Sequence, residues 1–152
     1  MAAIDDARNV LVSHLAASGH FDGGVETFEP KAQPTGRFHA AVFIDSIAPA
    51  EGMSGLASTT YVYVYQVRIF RDMLADPVGN IDPDLNTVAD KLLDDFNGDF
   101  TLGGNIRLID VLGEAGTPLS MRAGYITVAQ KMYRVLDFTV PLIINDAATQ
   151  AA

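Results

Sequence analysis

Residues 59–72 read TTYVYVYQVRIFRD. Tyr61, Tyr63, Tyr65, Val67 and Ile69 recur at period two, so an extended backbone places all five on one face. The other face reads Thr60, Val62, Val64, Gln66, Arg68, Phe70: apolar, then polar, then aromatic. β-Branched and aromatic residues dominate and no Gly or Pro interrupts, so the pattern predicts a strand of roughly 45 Å, well beyond the usual length. A strand that long is expected to outrun its own domain, with its projecting end covered by another subunit.

The rest of the chain divides by the same two periods. Ile4, Ala7, Val10, Leu11 and Leu15 follow helical spacing, with Asp5 and Asp6 in the first turn and Ser18-Gly19 as a stop. A short strand is expected at residues 25–29 and a loop at 30–36. A second long strand is expected at 37–47, apolar on both faces: Phe38, Ala40, Val42 and Ile44 against Ala41, Phe43 and Ile47. Such a strand is central in a sheet covered on both sides, or it lies at a subunit contact. Residues 48–58 form a Gly-, Ala- and Ser-rich loop longer than most hairpin connections, a length that goes with function or mobility. After a turn region at 75–80, Asp82 as N-cap and Pro83 at the first helical position open the clearest helix. Leu85, Val88, Ala89, Leu92, Leu93 and Phe96 make its apolar stripe, and Asn97-Gly98 ends it.

The last third reads as β. Residues 105–111 predict a strand, 113–118 a turn-rich segment, and 124–128 with 132–144 a hairpin, although Ala129-Gln130-Lys131 is poor turn chemistry. Met132, Leu136, Phe138, Val140, Leu142 and Ile144 share one face of the final strand. Pro141 brings no amide donor and places the strand at an edge there, or leaving the sheet. Residues 146–152 are expected to be a flexible tail beyond a domain spanning 1–145. The order α-β-β-β-α-β-β-β implies a single α+β domain, a mainly antiparallel sheet with two helices packed on one face.

Composition narrows the function classes. The chain of 152 residues has no cysteine, which excludes disulfides, thiolate nucleophiles and cysteine metal sites. Ten basic against 19 acidic residues give a net charge of −9, which argues against phosphate-neutralising contact with nucleic acid. Only 19% of residues are charged while 49% are hydrophobic, and mean hydropathy is positive; together these suggest surface buried in an oligomer. Asp5 and Asp6 stand where a signal peptide would be basic, and no run is long enough for a membrane span, so a soluble protein made in the cytoplasm is expected.

Candidate chemistry is sparse. His14, His20 and His39 are scattered, without the spacing of a metal pair. Gly52-Met53-Ser54-Gly55 is close to a nucleophile elbow but lacks its G-x-S-x-G order and its strand-turn-helix setting. Asp95, Asn97 and Asp99 fit the first ligand positions of a calcium loop, but Phe100 stands where the sharp turn needs Gly and Ile106 where the bidentate Glu belongs. Gly103-Gly104 fits neither a P-loop nor a dinucleotide fingerprint. Arg68, Arg71, Arg122 and Arg134 fall on β segments, able to pair with carboxylates across strands or subunits. No nucleophile, base and oxyanion site assemble, so no catalytic residue, cofactor or metal is assigned, and the reading is of a protein that is not an enzyme.

Several segments together resemble the tail-terminator proteins of long non-contractile-tailed bacteriophages, especially those infecting actinobacteria. They are SGLAST (residues 54–59), VRIF with its Arg68, NIDPDL (80–85), GDFTLGGNIRLIDVLG (98–113), AGYI (123–126) and TVPLIIND (139–146). The order holds from about Phe38 to the C-terminus. The resemblance implies a structural virion protein of the tail–neck region that forms a homo-hexameric ring. Its implied partners are further copies of itself, the tail-tube protein and a head-completion or connector protein, with DNA passing through without specific binding and no membrane contact. Candidate inter-ring or subunit contacts are Glu51, Met53, Ser54, Leu56, Tyr61, Tyr63, Tyr65, Arg68 and Arg71. A tail-tube or head-completion protein is the alternative of the same kind; a small-ligand binder or enzyme subunit is the alternative of another.

Overall fold

The alternation of the tyrosine-rich stretch becomes the middle strand of a six-stranded sheet in the computed structural model, which describes residues 3–50, 58–72 and 81–149. In chain order the elements are α1 (Ala3–Ala17), β1 (Val25–Glu26), β2 (Phe38–Pro49), β3 (Ser58–Asp72), α2 (Ile81–Gly98), β4 (Leu108–Ile109), β5 (Ser120–Val128) and β6 (Lys131–Thr149). The sheet runs β1-β2-β3-β6-β4, with β5 also on β6. The short β1–β2 pair is parallel and every other pairing is antiparallel. This is the single α+β domain that the element order implied.

β3 is flanked along nearly its whole length. It pairs β2 from Tyr61 opposite Pro49 to Arg71 opposite Phe38, and β6 from Ser58 opposite Thr149 to Asp72 opposite Tyr133. The expectation that this strand outruns its domain is therefore corrected: two long strands of the same chain, of 12 and 19 residues, flank it on both sides. β6 itself continues to Thr149, so the backbone of 146–149, placed in the expected flexible tail, is paired strand.

Both helices lie on the face that carries Tyr63, Tyr65, Val67 and Ile69. α1 contributes Ala7, Leu11 and Leu15 to that core, and α2 contributes Leu85, Val88, Ala89, Leu92 and Phe96. β6 adds Leu136, Phe138, Val140 and Leu142, as its alternation predicts. Ile4 and Met132, at the ends of their elements, are exposed despite sharing those apolar faces. The second face of the sheet carries two smaller clusters. Ala41, Phe70, Val128, Tyr133 and Val135 form one, and Ala50, Val62, Val64 and Ile143 the other. Residues of the 30–36 loop serve the first: Pro34 O accepts the Tyr133 hydroxyl at 3.1 Å, and Gln33 Nε2 donates to Ala129 O at 3.0 Å.

Several expected boundaries move, each for a local reason. The strand expected at 25–29 is only Val25–Glu26, because the chain then turns to set Glu29 beside Arg68. The strand expected at 105–111 shrinks to Leu108–Ile109. Before it, a tight turn binds Gly103 N to Asp99 Oδ1 and Ile106 N to Thr101 O; after it, Asp110 accepts the N–H groups of Glu114 and Ala115, both at 2.9 Å. α2 starts at Ile81, so Asp82 lies inside the helix rather than capping it, and its carboxylate accepts Arg134 Nε at 3.0 Å. Pro83 still falls in the first turn, where no intrahelical donor is lost.

Pro141 neither sits on an outer edge nor takes β6 out of the sheet. β5 pairs β6 as far as Thr139 and β4 takes over at Leu142, so the missing N–H falls in the gap between the two partners. The Pro141 carbonyl on that side accepts Asp110 N at 3.0 Å. The hairpin between β5 and β6 closes through Ala129 and Gln130 with φ of +49° and +70°. Two positive φ values make a type I′ turn, whose twist matches the flanking strands even though neither residue favours it.

Leu92 is fully buried on the helix face of the sheet. Leu92→Ala should cost about 2–5 kcal/mol, read as a lower denaturant midpoint with an unchanged slope. A midpoint that does not move would mean that another face of α2 carries the packing.

Candidate functional site: the aromatic strand and the sheet edges

Glu51, Met53, Ser54 and Leu56, four of the candidate contact residues, lie outside the described residues. The three tyrosines of β3 divide. Tyr65 is fully buried and its hydroxyl donates to the Ile4 carbonyl of α1; burial pushes the phenol up to about 12. Tyr63 is buried too, with its phenol raised chiefly by desolvation. Tyr61 stacks on Tyr63 at 6.3 Å between ring centres and is half-exposed. The aromatic face is thus the seat of α1, and of the three only Tyr61 leaves side-chain surface for a neighbour.

The two arginines of β3 are engaged within the chain. Arg68, on the second face, donates to Asp137 (2.7 Å) and Glu29 (2.9 Å) and lies 5.4 Å from the centre of the Phe43 ring. Together with the 3.0 Å bond from Gln66 to Thr139 it forms a polar belt between the two apolar clusters of that face. Arg71 is buried on the helix face, where it donates to Asp84 at 3.1 Å and lies 5.3 Å from the Phe38 ring centre. Asp84 also accepts Arg37 at 2.7 Å, so one carboxylate ties β3, α2 and the start of β2 together. Those guanidinium bonds, Arg37's first, hold the Asp84 carboxyl below its ordinary range.

The remaining candidate chemistry is spent locally. His14 stacks on Phe96 with centres 5.5 Å apart, and His20 Nε2 lies 3.7 Å from Asp95. His39 is buried, with Nδ1 on the Gly23 carbonyl at 2.8 Å and Nε2 at 3.3 Å from Glu26 Oε2 without the alignment of a hydrogen bond. Asn97 Nδ2 donates to Leu93 O and Asp99 accepts Gly103 N, so the calcium-like spacing is a helix end followed by a turn. Among the described residues no three His, Asp or Glu side chains are grouped to hold a metal ion. An open groove between α1 and the 99–105 turn is lined by Ser13, His14, Asp99 and Asn105.

Surface of another kind lies at the two ends of the sheet. β1 pairs β2 only at Ala40 and Ala41, and among the described residues no strand runs beside β2 beyond them on that edge. Ile44 and Ile47 there are 42% and 43% exposed. At the opposite end β5, among the described residues, pairs β6 on one side only, and its Tyr125 is 60% exposed. Asp45 on β2 and Arg122 on β5 are exposed. Neither has an ion-pair partner among the described residues, whereas Arg134 pairs Asp82 and Lys131 pairs Asp72. Sequence reading singled out Arg122 but not Asp45, because only the pairing map shows which strand edges are left over.

Two titrations test this geometry. Asp22 accepts the main-chain N–H of Arg37 (2.9 Å) and Phe38 (2.8 Å), bonds that hold its carboxyl below the ordinary 3.8. A folded pKa below the unfolded one gives stability that is present above the ordinary value and lost as pH falls through the folded value. Urea midpoints of Asp22→Asn should therefore fall less steeply than wild type below about pH 4; an identical acid slope would contradict the bond. For Tyr65 the sign reverses: its raised phenol contributes stability up to the ordinary pKa of 10 that is lost as pH climbs toward about 12. Tyr65→Phe should cost about 1 kcal/mol at neutral pH and remove part of the alkaline loss. Unchanged stability at both pH values would show that the hydroxyl bond contributes nothing.

No helix among the described residues is long and apolar enough to cross a membrane. No protein-family model and no curated protein matches the chain. Among solved structures it is similar to the sheath/tube terminator of PVC, an extracellular contractile injection system, in the extended state. The likeness has 12% sequence identity and a TM-score of 0.49, and covers 99% of this chain and 59% of that one. The chain thus spans about three fifths of the length of the structure it matches.

Proposed function

We propose that this chain is a tail-terminator subunit: a structural protein that forms a hexameric ring, caps the tail tube of a long non-contractile phage tail, ends its polymerisation and joins it to the head. The observation that carries the reading is where the terminator-like segments fall in the fold. VRIF supplies Arg68, the hub of the polar belt to Asp137 and Glu29. NIDPDL supplies Asp84, which ties β3, α2 and β2. GDFTLGGNIRLIDVLG supplies Asp99 and Asp110, whose carboxylates fold the turns on either side of β4. The resemblance therefore rests on residues that set this architecture.

The physics of the task fits such a protein. A tube of stacked rings grows by head-to-tail contacts, and nothing in that geometry ends it. A terminator offers one face complementary to the last ring and another that the next tube subunit cannot use. It needs rigid contact surfaces rather than a catalytic site. A net charge of −9 per subunit suits a passage through which DNA slides without being held.

Phage particles assembled without this protein should appear as unjoined heads together with tails of irregular or excessive length. Normal-length tails attached to heads in its absence would rule out the terminator role.

A further inference from the structure

We propose that the two open edges of the sheet pair with each other between copies of this chain. The free stretch of β2 beyond Ala41 would receive residues 120–125 of β5 of the next copy as an added antiparallel strand, with Asp45 of one copy facing Arg122 of the other. The proposal deepens the ring reading above and rests on it for the number of copies, but not for the contact itself.

The main chain supplies the first argument. The two-residue turn at Ala129–Gln130, closed by Val128 opposite Lys131, sets the register of β5 on β6. By strand alternation, Met121, Ala123, Tyr125 and Thr127 then direct their N–H and C=O groups away from β6. Beyond β1, the outer edge of β2 is equally open among the described residues. Such rows of unpaired groups are templates for another strand, and proteins that stay monomeric blunt them with proline, lysine or short edges. β5 has none of these: it carries neither Pro nor Lys and runs for 9 residues.

The side chains select a second copy as the occupant. Asp45 and Arg122 are opposite charges, exposed and without an ion-pair partner among the described residues, one on each open edge. Setting Asp45 opposite Arg122 puts Ile44 beside Ala123, with Tyr125 diagonal to it. These apolar groups share the helix face, since Ile44 stands opposite Tyr65, Ala123 opposite Leu136 and Tyr125 opposite Arg134. The bulge between Ile44 and Ser46 brings Ile47, opposite Tyr63, to that face as well. Direction agrees too. β2, β3, β6 and β5 alternate, so a copy in the same orientation presents its β2 antiparallel to the β5 it meets. The two edges lie at opposite ends of one sheet, which makes the contact head-to-tail, the kind that closes into a ring.

Sedimentation velocity of the full chain tests this. Asp45→Arg and Arg122→Asp should each weaken self-association by about tenfold or more, because each sets like charges face to face. The double variant D45R/R122D, which restores opposite charges, should assemble as wild type does. Ala123→Pro, which removes an outward N–H that the folded edge does not use, should block assembly while keeping the thermal melting point near wild type. The proposal is overturned if wild type stays monomeric, if both single charge reversals assemble as wild type does, or if the double variant melts normally but does not reassemble. Charge variants that assemble normally and still give normal tails would remove this interface and leave the terminator role. Rings built through these edges, with tail length independent of the protein, would do the reverse.

Discussion

A buried strand must find a partner for every main-chain donor and acceptor on both of its edges. For β3 that demand runs over 15 residues, and the rest of the structure follows from meeting it. β6 pairs β3 from Ser58 to Asp72 and β2 pairs it from Tyr61 to Arg71, and only long strands can reach that far. The tyrosines and aliphatics on one side of β3 then need a cover, which α1 and α2 supply in a single layer. Having satisfied its centre, the sheet leaves its unpaired main chain, among the described residues, on β2 on one side and β5 on the other.

The second face shows how a sheet covered by helices on only one side is held. Its apolar residues are gathered into two clusters at the ends of the strands, each served by irregular segments rather than by a helix. Between them, Gln66 and Arg68 meet Thr139 and Asp137 across the β3–β6 pair. Placing paired polar groups in the middle of the face avoids leaving an apolar band open to water. Arg68 also lies against Phe43, so its stem and guanidinium contribute packing as well as charge. The apolar, polar, aromatic order read along that face of β3 is this division of labour written in sequence.

Much of this is legible in the sequence. The alternation in 59–72 located the central strand and assigned its two faces correctly, and the stripe of α2 named Leu85, Val88, Ala89, Leu92 and Phe96 as buried, missing Ile81 and including the only partly buried Leu93. What the pattern missed lies where side chains compete with the ladder. Asn105 to Val111 looks like a strand by composition, yet Asn105 and Asp110 satisfy nearby backbone groups themselves and leave two residues to pair. The type I′ turn at Ala129–Gln130 is imposed by the strands it joins rather than by its own residues, so no turn signal announces it. The candidate site was legible only in part. Tyr61, Tyr63 and Tyr65 share a face as read, but a period-two pattern cannot say whether that face waits for a neighbour or for the chain's own helix. The open edges were invisible, since an unpaired edge belongs to the topology and not to any stretch of sequence.

The central proposal is that copies of the chain assemble through a sheet whose middle strand is satisfied and which, among the described residues, is open at both ends. Electron microscopy of the purified full-length protein tests that most directly. The account expects closed rings with a central hole. A uniform field of single 16.3 kDa molecules at every concentration would contradict it.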